Sequence, residues 1–239
     1  GLLSLSSTLS LAQSQSAMEA YLCTLNDGKS MADIMSVVED WNKWSDKKGI
    51  DSYTAWVLNP IYVSNTDLNR QALWLGHAPS FAEMSDIMGT WLSEGGDLLA
   101  EFNEAWTCSS HMEMTAMMVR PPAGEPSDSP VASFYDCGLN EGKGPEDLMA
   151  ATSQWNAHLD ENGIKEAMVY HFPGHGHPQD ATYDMKVSVW RSGLDAYGLS
   201  ADHFVNGGGQ QAAQATLNQA MTCDMPRMYQ ATLVRRADD

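Results

Sequence analysis

Positive charge is scarce in this chain. Its 239 residues hold 13 Lys and Arg against 31 Asp and Glu, a formal net charge of -18. Such a surface repels phosphate backbones and anionic lipid, which argues against a nucleic-acid partner. Cysteine is limited to four residues, Cys23, Cys108, Cys137 and Cys223. None forms a C-x-x-C pair, so zinc-ribbon and thioredoxin readings have no support. There is no G-x-S-x-G, no P-loop, no dinucleotide-binding glycine fingerprint and no H-E-x-x-H. Beyond the first residues, no apolar run is long enough to span a bilayer.

What is present is globular material: 43% hydrophobic and 18% charged residues. The opening stretch, GLLSLSSTLSLAQSQSA, is Ser-rich and carries no charge before Glu19. It resembles the end of a signal-peptide apolar region, with cleavage expected after Ala12. Residues 1–16 are therefore read as a leader remnant or disordered N-terminus. The expected location is exported, periplasmic or extracellular, and cysteines suit that compartment.

The chain repeats itself. CTLNDGK at Cys23 returns as CGLNEGK at Cys137, a shift of 114 positions. At the same shift Asp33 meets Asp147, Trp41-Asn42 meets Trp155-Asn156, Asp46 meets Asp160, and Gly49-Ile50 meets Gly163-Ile164. Near the ends of the copies the shift is 115: Cys108 meets Cys223, and Val119-Arg120 meets Val234-Arg235. Between these blocks the match is poor, and Trp74 is set opposite Trp190. The domain reading is repeat 1 over 17–120, a Pro/Ser/Gly-rich linker over 121–130, and repeat 2 over 131–239.

Within each copy the elements follow from periodicity and punctuation. AYLCTL is a strand stopped by Asn26-Asp27-Gly28. Ser30 with Asp33 reads as a capping box, and in repeat 2 Pro145 takes the first helical position. Ile34, Val37, Val38 and Trp41 make one helical stripe, repeated by Leu148, Ala151, Thr152 and Trp155. Gly49 and Gly163 read as helix stops. SYTAWVL and EAMVYHF, then QALWLGH and MKVSVWR, are strands. Helices and a last strand, MEMTAMMVR or MYQATLVRR, complete each copy. The order is βαββαβ, twice.

That order is the ferredoxin-like split motif. Duplicated in one chain, it resembles the dimeric α+β barrel superfamily. The resemblance covers nearly the whole chain and rests on element order and duplication. It implies an α+β fold, two ferredoxin-like repeats packed sheet to sheet as a pseudo-dimer, with a higher homo-oligomer as the other expectation. It also implies that the first and fourth strands of a copy are antiparallel neighbours. On that basis the disulfides are Cys23–Cys108 and Cys137–Cys223.

Several residues are candidates for chemistry. Asn26, Lys29, Asn140 and Lys143 flank the repeated turns and are read as turn chemistry. Asn42 and Asn156 are read as fixing a neighbouring loop. His171, His175 and His177 have no counterpart in repeat 1; H-x-H in a Gly/Pro loop can present two imidazoles to Zn or Cu, with a strand-end His as a third. The superfamily includes chlorite dismutase-like haem proteins, which use a His below the haem and an Arg above it; the matching residue types here are His171 and Arg191. Met112, Met114 and Met117 cannot all meet one ion, because alternate strand residues face opposite ways, so methionine is read as core filler.

The functional expectation is an exported protein that binds a small apolar or aromatic molecule. Its cavity is expected to be lined by Trp56, Trp74, Tyr170 and Trp190, with His77 and Arg191 at strand ends. The resemblance extends this to a cofactor-independent oxygenase or lyase. A non-catalytic structural or interaction module of the envelope is the alternative, and a haem- or metal-binding protein the third reading. An open pocket with converging His, Arg or Lys favours the first; a filled cavity favours the second.

Overall fold

The computed structural model describes residues 15–64, 70–124 and 127–238. The leader reading falls mostly on residues 1–14, outside the described residues. The chain runs β1 (Gln15–Leu25), α1 (Met31–Lys48), β2 (Thr54–Tyr62), β3 (Gln71–Ala78), α2 (Phe81–Glu94), α3 (Gly96–Ala105) and β4 (Trp106–Arg120). The second half follows with β5 (Val131–Leu139), α4 (Pro145–Glu161), β6 (Ala167–Pro173), β7 (Met185–Arg191), α5 (Leu194–Asn206), α6 (Gly209–Ala215), α7 (Leu217–Ala220), β8 (Met221–Cys223) and β9 (Arg227–Arg235).

The expected packing of two sheets face to face is not what forms. The strands run β4-β1-β3-β2-β9-β5-β7-β6, and β6 returns to β4, all antiparallel. The result is one closed barrel of eight strands, with short β8 added beside β5 at Cys137. The physical reason lies in the edges. A four-stranded unit leaves β2 and β4, or β6 and β9, with unpaired backbone groups, and joining edge to edge satisfies them.

Side-chain parity then separates three cores. Inward residues such as Met18, Ala20, Leu58, Leu75, Met112, Met114, Val169 and Tyr229 fill the barrel. Outward residues of repeat 1 meet Ile34, Val38 and Trp41 of α1 and Phe102 of α3. Outward residues of repeat 2 meet Leu148, Ala151 and Trp155 of α4. Both long helices start by local chemistry. Asp33 accepts from the Ser30 N–H at 2.8 Å, and Asp147 from the Gly144 N–H at 3.0 Å. The chain leaves them through Gly49 and Gly163 at φ 66° and 67°, where a side chain would be strained.

Several repeated residues turn out to be a reciprocal clamp between the halves. Arg120, at the end of β4, donates to Asp160 at 2.6 Å and to the carbonyls of Asn156, Ile164 and Glu166 in repeat 2. Arg235, at the end of β9, donates to Asp46 at 2.8 Å and to the Ile50 carbonyl in repeat 1. Asn156 donates to the Val119 carbonyl at 2.8 Å, and Asn42 to that of Val234 at 2.7 Å. Each copy's last strand is thus held by the other copy's first helix. The Arg120 side chain is only 8% exposed. Arg120→Ala should therefore cost about 3 kcal/mol, since it leaves three carbonyls and a carboxylate without their donor. A urea midpoint that hardly moves would refute the clamp; Arg120→Lys should recover only part of the loss.

Both disulfides, Cys23–Cys108 and Cys137–Cys223, are present and join directly opposed strand residues. Two such bonds suggest an oxidising compartment. Among the described residues, no helix is long and apolar enough to cross a membrane.

Candidate functional site

Between the outward face of repeat 1 and its helices lies a chamber of about 260 Å³. Its walls are aromatic: Trp41 and Trp44 from α1, Trp91 from α2, Phe102 from α3, Trp74 from β3 and Trp106 from β4. Trp41 stands edge-on to Trp74 at 4.8 Å, and Trp44 edge-on to Trp91 at 5.5 Å. These T-shaped contacts hold the rings as fixed walls.

A carboxylate sits in this apolar place. Glu19 of β1 is 5% exposed. Trp74 Nε1 donates to the Tyr53 hydroxyl at 2.9 Å, the Tyr53 hydroxyl donates to Glu19 Oε1, and His111 Nε2 lies 2.6 Å from Glu19 Oε2. The relay satisfies a buried charge that would otherwise be costly. Tyr21 stacks flat on the His111 ring at 3.7 Å. Burial, then the nearby Glu19 charge, drives the Tyr53 and Tyr21 hydroxyls above the ordinary tyrosine range, so both stay neutral. Donation of Nε2–H to Glu19 is the tautomer that leaves Nδ1 of His111 unprotonated. The arrangement can orient a base and pass a proton beside a bound aromatic molecule.

Local sequence explains the geometry. Glu19 faces Gly76 across the β1–β3 ladder, and a Cβ on Gly76 would lie 1.7 Å from the Tyr53 hydroxyl oxygen. Only glycine lets the Tyr53 ring lie across β3 to reach Glu19. Repeat 2 is an internal comparison. Its β5–β7 register places Val189 opposite Ser133, where repeat 1 has Gly76 opposite Glu19. The same register places Val187, not Trp190, where repeat 1 has Trp74; Trp190 stands at the place of His77. This corrects the alignment expected between the conserved blocks, which slips because the loops after the helices differ in length. In place of the relay, repeat 2 has a closed ion pair, Arg191 to Glu166 at 3.1 Å, with both side chains under a tenth exposed.

The residues singled out from sequence are divided by the barrel wall. Trp56, His77, Trp190 and Arg191 come together at the open barrel end around a second cavity of about 330 Å³. Trp74 faces outward into the aromatic chamber. Tyr170 is fully buried under α4, bonded to Thr152 at 2.6 Å. Glu19, Tyr53 and His111 carry no motif of their own in the sequence. The mid-strand Gly76 was the available signal, because glycine in a strand marks a close approach by another group.

The three histidines of the loop region go to three partners. His171, 1% exposed, points into the barrel with Nε2 on Ser188 Oγ at 2.7 Å. His175 Nδ1 is on Glu113 at 2.7 Å, and His177 Nδ1 on the Tyr183 hydroxyl at 3.0 Å. Among the described residues no three His, Cys, Asp or Glu side chains converge as a metal site. The loop has another use: Gly174 and Gly176 lie against the β4 backbone at Glu113 and His111, so a loop of repeat 2 braces the strand that carries His111. A haem does not fit His171 and Arg191. His171 is buried inside the barrel on Ser188, Arg191 is tied to Glu166, and the face of repeat 2 under α4 is packed with Trp155, Tyr170, Met185 and Val187.

No family model matches the chain, and no curated protein matches it. Solved structures are similar over nearly its whole length. A Lactobacillus acidophilus NCFM protein assigned as a monooxygenase aligns with TM-score 0.57 at 7% identity, covering 93% of this chain and 95% of that one. An anthrone oxidase-like protein aligns with TM-score 0.55 at 11% identity, covering 93% and 94%. Chlorite dismutase from Candidatus Nitrospira defluvii aligns with TM-score 0.53 at 9% identity, covering 92% of each chain. At such identities the likeness is one of fold, and the fold is that of the dimeric α+β barrel proteins, here closed within a single chain.

Proposed function

We propose that the chamber of repeat 1 binds a small planar aromatic molecule and that the His111–Glu19 pair removes a proton from it. The observation that carries this reading is a buried carboxylate tied to an imidazole and a phenol inside an otherwise apolar, aromatic-walled cavity. Catalytic sites are commonly built this way, with few polar groups converging in an apolar pocket. The oxygenase-type names among the structural neighbours support a reaction class. A substrate with an acidic CH₂ between aromatic rings would lose a proton to His111 Nδ1, and Glu19 would stabilise the imidazolium formed. The resulting carbanion would reduce O₂ directly, giving overall R₂CH₂ + O₂ → R₂CO + H₂O. Tyr53 would hold Glu19 in place. Export, and freedom from a cofactor, belong to this proposal.

Anthrone is the natural probe. It should quench the chamber tryptophans saturably, and the protein should raise O₂ uptake above the spontaneous rate. His111→Ala should lower turnover by roughly 100-fold or more with little change in KM, the usual weight of a general base. Glu19→Gln should slow turnover less. Saturable quenching with no difference in turnover between His111→Ala and the parent would leave binding and remove the catalytic role.

A further inference from the structure

We infer that the open end of the barrel is a second binding site, for a small planar organic anion such as an aromatic carboxylate. It is separate from the chamber, because inward and outward residues of β1 and β3 face opposite sides of the barrel wall.

The cavity of about 330 Å³ is large enough for a bicyclic ring system. Trp56 and Trp190 form its apolar wall, with ring centroids 5.5 Å apart. Its charge runs against that of the chain. In a protein of net charge -18, the described residues that line this cavity include Lys165, Arg191 and Arg236 and one carboxylate, Glu166. Glu166 is held by Arg191, and Arg236 is held at 2.7 Å by Asp128, just outside the lining. Among the described residues one positive charge remains in surplus, and each guanidinium keeps donors beyond those its partner uses. In a concave place between apolar walls that surplus favours an anion more than a flat surface would.

The rest of the wall suits the polar end of such a ligand. Burial holds His77 neutral by lowering its pKa. Trp190 Nε1 donates to Ser188 Oγ at 2.9 Å, and Ser188 meets His171 Nε2, so a chain of neutral polar groups leads inward from the pocket wall. His171 Nδ1 is buried without a hydrogen-bond partner among the described residues.

The test uses the intact protein with 2-naphthoate and the neutral 2-naphthalenemethanol, titrated by fluorescence and calorimetry. Naphthoate should bind saturably and about 10-fold more tightly than the alcohol, the weight of one charged hydrogen bond. Lys165→Gln with Arg236→Gln should remove that difference and leave the alcohol unchanged. Both side chains are exposed, so this variant should fold as the parent does. Trp56→Leu should weaken both probes at this site; because the chamber can also take a neutral aromatic, the titrations are repeated in Trp91→Leu, where the difference between acid and alcohol should persist. Absence of saturable naphthoate binding, equal affinity for acid and alcohol, or loss of the difference between acid and alcohol in Trp91→Leu would each overturn the assignment. None of these outcomes bears on anthrone turnover in the chamber.

Discussion

Replacing all four cysteines by alanine should leave a chain that is largely unfolded at 37 °C. The two bonds join residues 85 and 86 positions apart. In the chain-entropy account, each loop of that size restricts the unfolded state by about 4–5 kcal/mol. Together that is comparable to the whole stability of an ordinary domain, about 5–15 kcal/mol. Near-UV circular dichroism and urea titration of the oxidised, reduced and all-alanine forms would check it. A combined loss below about 2 kcal/mol would mean that the barrel stands without its bridges and that the entropy account fails here. The two bonds should also differ. Cys108 lines the chamber and lies three residues before His111 in β4. Removing Cys23–Cys108 alone should therefore disturb ligand binding there. Removing Cys137–Cys223 should cost similar stability and leave that chamber intact.

Acid should unfold the protein steeply, and His171 should be a main cause. Burial, reinforced by the nearby Lys186 charge and then by His77, pushes its pKa from an ordinary value near 6.5 down to about 3. The folded state therefore holds a neutral imidazole, while the unfolded chain takes up a proton below about pH 6.5. More protons bound in the unfolded state means that stability falls as pH falls. The contribution is intact above pH 6.5 and is lost progressively down to about pH 3, a total of roughly 4–5 kcal/mol. His171→Gln can still bond Ser188 but does not titrate. It should match the parent near pH 7.5 and unfold at a distinctly lower pH. His77 and His177 are lowered in the same direction, so some slope should persist. Superimposable acid transitions for parent and variant would show that His171 is not the group being charged.

Both expectations concern residues visible from the start, yet they stand differently toward the sequence. The cysteines sit within the repeat, and the resemblance to the dimeric α+β barrel superfamily implied that each pairs within its own copy. His171 stands out in the sequence because repeat 2 has it and repeat 1 does not. Its surroundings could not be foreseen, since a metal loop and a barrel interior place the same demands on local composition. The clamp lies between these cases. Asn42, Asp46, Ile50 and Val234-Arg235 were each legible as repeated. That they meet one another across 185 to 193 positions was not.

The amino-acid sequence by itself determined the duplication, the order of elements and the helix starts at Ser30 and Gly144. All of these depend on short-range chemistry: turns, caps, alternation and periodicity. Tertiary structure alone decided three things. It zipped sheet edges into one barrel rather than stacking two sheets, because unpaired backbone groups at β2, β4, β6 and β9 find partners only in three dimensions. It set the β1–β3 and β5–β7 registers, and with them which aromatic residues face the chamber and which the barrel interior. It also brought His111 to Glu19 across 92 positions. A one-residue slip of register sends every side chain to the other face of a strand, so no local pattern could have placed Trp74 and Trp56 on opposite sides of one wall.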